Sequence, residues 1–298
     1  MSVTDVLEGR ASWACVASRA EDFLAALPDD SVDLLVTSPP YERARTYSLA
    51  DRLPAGQEWV DWMVRIVTAA APKVKGLIAV NCEGQTRNYR YSCAPFLLVA
   101  DLHRAGFNLR KPAVFHRVGI PGSGGPDWLR NDWEPVVCVT RQGRLPWSCP
   151  TAEGRPPKYG PGGKITHRMR DGKRIHERVF KDHPGKSAGA KEMQGYTAPE
   201  IANPGNVLSL AVGGGRMGHE LANENEAPFP LKLAAFFVKS FCPPGGVVAD
   251  CFSGSGTTCH AAVESGRRFV GCDIRESQVE LCKRRLATVT PSLFEGAA

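Results

Sequence analysis

The sequence predicts an α/β fold built on a parallel sheet. Two observations carry this. From Trp13 to Arg117 short apolar runs alternate with stretches of helical period. Between Val247 and Leu286 an apolar run, a glycine turn, a helical stretch, a second apolar run and a final helix follow in direct succession. The 298 residues suffice for one large domain and a smaller appended region.

Taken in order, Ala20 to Leu27 reads as a helix. Val32 to Thr37 reads as a buried strand, stopped by Pro39 and Pro40, which have no N–H for a ladder. Gln57 to Ala71 is a helix and Leu77 to Asn81 a strand. Pro95 to Arg104 is a helix, with strands at Ala113 to Arg117 and Val136 to Thr140. Arg144 to Asn206 is rich in Gly, Pro, Lys and Arg and has little periodicity, so it reads as an irregular insertion. Order resumes with a strand at Val207 to Val212 and a helix at Phe229 to Phe241. The regular C-terminal unit follows: strand Val247 to Phe252, helix Thr257 to Ser265, strand Phe269 to Cys272 and helix Ser277 to Leu286. The chain therefore divides into residues 1–143, 144–206 and 207–298.

Composition narrows the function. No run of about 18 apolar residues exists, so no membrane-spanning helix is expected. Met1 to Arg10 lacks the pattern of a signal peptide, which gives an expectation of a cytoplasmic protein. The ten cysteines show no Cys-x-x-Cys pair and no zinc-ligand spacing, so no metal is expected. Cys251, Cys259, Cys272 and Cys282 read as free buried thiols. The net charge of +6 is local: Arg144 to Lys191 hold twelve Lys and Arg against four Asp and Glu, and the remainder is net negative. Such a block is either a polyanion-facing surface or a solvated basic loop.

Two motifs carry chemistry. Asp250-Cys-Phe-Ser-Gly-Ser-Gly-Thr-Thr258 joins a strand to a helix. Gly254 and Gly256 permit a tight turn and close approach of a ligand to the backbone. N–H groups at the start of the Thr257 helix suit a carboxylate. Asp273, at the end of the next strand, suits a ribose diol. Asp250 suits a cationic group. S-adenosylmethionine combines all three features; an ordinary nucleotide turn is the alternative. The second motif is Thr37-Ser38-Pro39-Pro40-Tyr41. A loop beyond a strand's carboxyl end lines the ligand crevice of an open α/β sheet. The Ser38 hydroxyl and Pro39 carbonyl can accept the hydrogens of an exocyclic amino group. Tyr41 offers a face for an extruded base.

The two motifs and their order resemble the amino-methylating DNA methyltransferases of the β class, in which the catalytic motif precedes the cofactor motif by circular permutation. The likeness covers Ser31 to Tyr41, Trp133 to Thr140 and nearly everything from Asn206 to Leu286. It implies a Rossmann-like S-adenosylmethionine-dependent methyltransferase fold, with catalytic residues Ser38, Pro39, Pro40 and Tyr41. It implies a cofactor site of Thr37, Phe229, Asp250, Phe252, Gly254, Ser255, Gly256, Thr257, Thr258 and Asp273. It makes the insertion a target-recognition region for double-stranded DNA, with Arg155, Lys158, Lys164, Arg168, Arg170, Lys173 and Arg174 as the contacting cations. Serine at the first tetrapeptide position is typical of N4-cytosine enzymes, so the expected reaction is N4-cytosine methylation, as in restriction-modification systems. N6-adenine methylation, methylation of a protein glutamine or of RNA, which the motif order argues against, and a non-catalytic DNA-binding protein are the alternatives. Carbon-5 methylation is disfavoured because the chain has no Pro-Cys dipeptide, and deamination because the zinc signature is absent. The family often dimerises, so the resemblance allows a homodimer. Three positions depart from the family pattern: Ala17-Ser18-Arg19, Cys251 and Asn225-Glu226.

Overall fold

The computed structural model describes residues 1–42, 54–119, 124–160, 163–168, 171–180, 196–213, 215–225, 228 and 230–289. The chain begins with α1 (Val3–Leu7), β1 (Trp13–Ala17), α2 (Ala20–Ala26), β2 (Val32–Thr37), α3 (Gln57–Ala70) and β3 (Val74–Asn81). Short strands β4 (Thr86–Arg87) and β5 (Arg90–Tyr91) precede α4 (Ala94–Arg104), β6 (Asn108–Leu109), β7 (Ala113–Val118) and β8 (Trp133–Thr140). Next come β9 (Lys164–Arg168), β10 (Arg174–Phe180), β11 (Tyr196–Thr197) and β12 (Val207–Ala211). The chain closes with a 3-10 turn (Glu220–Glu224), α5 (Leu231–Phe241), β13 (Val247–Asp250), α6 (Thr257–Glu264), β14 (Arg268–Asp273) and α7 (Glu276–Leu286).

Two compact units result, residues 1–149 with 205–298, and residues 150–204. The larger holds a nine-stranded sheet in the order β1-β14-β13-β2-β3-β8-β7-β12, with β6 also paired to β8. Neighbours from β1 to β3 are parallel, as the sequence predicts. β8 runs against both β3 and β7, so the sheet is mixed. The fold is Rossmann-like. Each face is covered by helices. Phe23, Leu24, Trp59, Met63, Leu98 and Leu102 from α2, α3 and α4 pack on one side. Leu233, Phe237, Cys259, Val263, Val279 and Cys282 from α5, α6 and α7 pack on the other. Each such buried side chain contributes roughly 1.5–3 kcal/mol.

The element expectations hold to within a few residues. The strand read to Phe252 ends at Asp250, because Cys251 and Phe252 already turn. The helix read from Phe229 starts at Leu231, and Phe229 lies outside the described residues. In the smaller unit, the stretch read as irregular carries an antiparallel hairpin, with Arg174 opposite Arg168 and Arg178 opposite Lys164. With Lys, Arg and Glu at five of the twelve positions of these two strands, the sequence shows no alternation by which to read them.

β2 also carries an irregularity. Its register against β3 shifts between Val32 and Leu34. Leu34 and Val36 face one core and Leu35 the other, but Val32 falls out of phase on the side of Leu35. The shift presses the Asp33 carbonyl onto β3, where a Cβ at Gly76 would stand 2.1 Å from its oxygen. We expect Gly76→Ala to destabilise the protein by roughly 1–3 kcal/mol in chemical denaturation, because backbone must move. Unchanged stability would show that the strand pair is not locked in this register.

Candidate active site

Adjacent parallel strands β13 and β2 pair through Val248 with Leu34 and Ala249 with Leu35. From β13 the chain winds outward to β14; from β2 it winds the other way to β3. Their carboxyl ends therefore flank a topological switch point, where open α/β sheets bind ligands. Asp250 ends β13 and Thr37 ends β2. The buried Thr37 hydroxyl donates to Asp250 Oδ1 at 2.6 Å. Asp250 Oδ1 also accepts the Phe252 N–H at 3.0 Å, and Oδ2 accepts the Thr258 hydroxyl at 2.7 Å. Burial pushes the Asp250 carboxyl up to about 6, against these hydrogen bonds, which lower it. The aspartate thus ties the tetrapeptide to both ends of the glycine turn.

A polar pocket opens here, lined by Ser38, Asn225, Asp250, Phe252, Ser253, Gly254, Thr257 and Thr258. Gly254 and Gly256 hold φ of +48° and +77°, a region that favours glycine. A Cβ at Gly254 would stand 3.0 Å from Asn225 Nδ2, and one at Gly256 would stand 2.3 Å from Cys282 Sγ. Asp273 does not line this pocket. Its Oδ2 accepts the Gly254 N–H at 3.0 Å and its Oδ1 the Arg275 N–H at 2.9 Å, so it braces the turn from the next strand. Phe252 meets the Trp62 ring edge-on at 5.4 Å, and the Trp62 indole donates to Glu21 at 2.9 Å.

Behind the turn lies Arg285, 0% exposed. It donates to the Thr257 hydroxyl at 2.8 Å, the Ser255 hydroxyl at 3.4 Å and His260 Nδ1 at 3.2 Å. Ser255 therefore serves this buried contact rather than the pocket. Burial, with the Arg285 charge, pulls His260 down to about 4, so its ring is neutral at pH 7 and Nδ1 can accept. Arg285 Nη2 has no partner among the described residues.

A second network holds the tetrapeptide. Tyr41 donates its hydroxyl to Glu134 Oε2 at 2.8 Å. Asn81 Nδ2 donates to both the Tyr41 oxygen and Glu134 Oε2 at 2.7 Å. Ser38 Oγ lies 3.3 Å from the Tyr41 hydroxyl. Arg117 pairs with Glu134 Oε1 at 3.0 Å. Burial and the Glu134 charge hold the Tyr41 phenol well above its usual value, so it stays protonated. The fully buried Trp59 donates its indole N–H to the Pro40 carbonyl at 2.9 Å, fixing the proline loop.

The sequence-predicted residues thus fall into two groups. Ser38, Asp250, Phe252, Gly254, Thr257 and Thr258 share the pocket; Thr37, Pro39, Pro40, Tyr41, Ser255, Gly256 and Asp273 surround or brace it. In the smaller unit Arg155, Lys158, Lys164, Lys173 and Arg174 are exposed, Arg168 lies on β9, and Arg170 is outside the described residues. Sequence reasoning assigned no role to Asn81, Arg117 and Glu134, and took Asn225 only as a departure from the family pattern. The signal was there for two of them: Asn81 ends a run of apolar residues, and Glu134 stands at the head of one.

The model of a family described as DNA methylase, N6 and N4, matches residues 32–284. The type II methyltransferase M.SfiI of Streptomyces fimbriatus is 23% identical, the match covering 86% of this chain and 86% of that protein. The DNA adenine methyltransferase YhdJ of Escherichia coli K12 is 21% identical, over 88% of this chain and 79% of that one. Among solved structures, the cytosine-N4-specific PvuII DNA methyltransferase gives a TM-score of 0.65 at 17% identity, covering 97% of this chain and 89% of its own. The putative DNA modification methylase TTHA0409 of Thermus thermophilus, solved with S-adenosylmethionine, gives 0.59 at 22% identity, covering 95% and 98%. These two share the fold. With the matched region spanning both motifs and the sheet between them, the chain belongs to the N6/N4 family of DNA methylases, whose methyl donor is S-adenosylmethionine.

Proposed function

We propose that the protein is a cytoplasmic DNA methyltransferase that methylates N4 of cytosine. The observation that carries the reading is the Thr37–Asp250 hydrogen bond, which sets Ser38 and the glycine turn on one pocket. The pocket suits the family's cofactor: its lining is polar, and Gly254 brings bare backbone to its wall. Asn225, Asp250, Phe252, Gly254, Thr257 and Thr258 would hold that ligand, with Asp273 bracing the turn from behind. When bound, S-adenosylmethionine supplies an electrophilic methyl group.

The chain's own residues prepare the acceptor. Ser38 and the Pro39 carbonyl accept the amino hydrogens of an extruded cytosine and turn the nitrogen lone pair outward. Those hydrogen bonds strengthen as the nitrogen gains positive charge. Tyr41, pinned at its hydroxyl by Glu134 and Asn81, presents its ring to the base. Positioning supplies most of the rate. Arg155, Lys158, Lys164, Arg168, Arg170, Lys173 and Arg174 contact DNA phosphates. Ser38 supports cytosine; similarity to an adenine methyltransferase makes N6-adenine the second reading.

Incubation with S-adenosylmethionine and mixed genomic DNA, followed by nucleoside mass spectrometry, is expected to yield N4-methylcytosine. N6-methyladenine would replace the base assignment; no methylated nucleoside would sink the reading. Ser38→Ala is expected to lower kcat by roughly two orders of magnitude with cofactor affinity little changed. Asp273→Ala is expected to weaken cofactor binding by roughly ten-fold or more, by calorimetry, because the turn loses a charged brace.

Asp250 also sets a pH dependence in the ligand-free protein. Its carboxyl is raised in the folded state, so its ionisation costs stability as pH climbs from about 4 through about 6. Asp250→Asn lacks that cost. The stability difference, variant minus wild type, is expected to rise by about 2–3 kcal/mol across this window and then level off. A flat difference would show that burial does not hold the carboxyl up.

A further inference from the structure

β4 and β5 form a hairpin whose two turn residues, Asn88 and Tyr89, have φ of +49° and +61°. Such turns favour Asn followed by Gly. Here the second position is tyrosine, a side chain that rarely adopts this conformation. The residue is 72% exposed, so no core packing offsets the strain. Strained residues persist where surroundings hold them and function uses them. The hairpin is held firmly: the Tyr91 hydroxyl donates to Glu83 at 2.9 Å, and the Ser92 hydroxyl donates to Glu42.

Tyr89 does not stand alone. Trp128, 40% exposed, meets it edge-on at 5.6 Å. The Trp128 indole rests on Gly125, where a Cβ would stand 2.1 Å from the ring. Phe96 and Trp133, 51% and 39% exposed, form a second edge-on pair at 6.4 Å. Exposed Arg87 and Arg90 sit on the hairpin itself. This surface belongs to the catalytic edge of the sheet. Trp133 precedes Glu134, which accepts the Tyr41 hydroxyl, and Glu42, which anchors the hairpin, follows Tyr41.

Exposed aromatic rings interleaved with arginines match unpaired nucleic-acid bases: the rings offer stacking faces and the guanidinium groups attract phosphate. Extrusion of a target base leaves disturbed bases beside it. We propose that Tyr89 and Trp128 form a stacking platform for an unpaired DNA base next to the extruded one. The proposal rests on the reading of the protein as a DNA methyltransferase. Stacking accepts any base, so the platform adds affinity for opened DNA and no sequence preference.

The test uses the full chain, with Tyr89→Gly, Trp128→Ala and Trp128→Phe. Binding is read by fluorescence anisotropy on labelled oligo-dT and on labelled mixed-sequence duplex over a salt series, beside methylation kinetics and cofactor calorimetry. Tyr89→Gly and Trp128→Ala are expected to weaken oligo-dT binding by roughly ten-fold or more. KM for duplex should rise, with an unchanged salt slope, because no phosphate contact is lost. Cofactor affinity should not move, and Trp128→Phe should retain most of the binding. Tyr89→Gly relieves the turn, so its melting temperature should hold or rise, which separates lost binding from lost folding. Wild-type binding and KM in both ring-removing variants, with the unaltered protein methylating DNA, would overturn the platform alone. An unaltered protein that neither binds nor methylates DNA would overturn the functional reading as well.

Discussion

The hydrogen bond from Thr37 to Asp250 is the constraint on which the site depends. It joins side chains 213 positions apart in sequence, and both are buried. A buried carboxylate is costly unless its oxygens are satisfied. Here three donors satisfy it, one from the first motif and two from the second: Thr37 from the tetrapeptide strand, the Phe252 N–H from the turn, Thr258 from the following helix. Losing any of them leaves a buried acceptor under-satisfied, with a cost of about 1–3 kcal/mol. The same groups that stabilise the charge therefore fix the distance between the two motifs. Strand pairing alone sets register; this contact sets how the loops leave the sheet.

The Tyr41 network plays the matching role on the far side of the tetrapeptide. Glu134 reaches it from β8, which runs against both β3 and β7, so the residue sits at that strand's start and at the sheet's carboxyl edge. Reversal is what brings it there: a parallel strand would carry its first residues to the opposite edge. Asn81 ends β3 and meets both partners. Its Oδ1, buried, has no hydrogen-bond partner among the described residues, nor does Arg117 Nε. Under-satisfied groups in a buried polar network carry a high energetic stake.

The sheet was legible in the sequence because its strands and helices have unlike periods and are punctuated by proline and glycine. Val32 to Thr37 is a mostly apolar segment stopped by Pro39, and the observed strand has the same ends. The glycine turn was legible because φ above zero at Gly254 and Gly256 excludes most side chains. The reversed strand was not legible: a buried strand reads alike in both directions. Nor was the Glu134 network, since its members come from four separate segments and only the sheet order brings them together. The hairpin at Thr86 to Tyr91 was hidden for a local reason. Its turn lacks the glycine that marks such turns, because Tyr89 occupies that place.

That last substitution belongs to a pattern. Four non-glycine residues with positive φ are found among the described residues, and three of them, Asn88, Tyr89 and Cys93, lie within the hairpin and the helix start that follows it. Cys93 begins α4 without a side-chain cap. Sequences tend to agree with their fold at every local level, and departures concentrate where another demand competes. Here the departures adjoin the edge that carries Tyr41 and Glu134, while the glycine turn on the neighbouring strands follows local rules closely. The difference has a physical origin. A small-molecule pocket can be built from backbone and glycine, which the turn already supplies. A surface for a large, flat, mobile ligand needs exposed rings held in fixed positions, and a tight turn that accepts a tyrosine is one of the few ways to hold a ring outward without a core behind it.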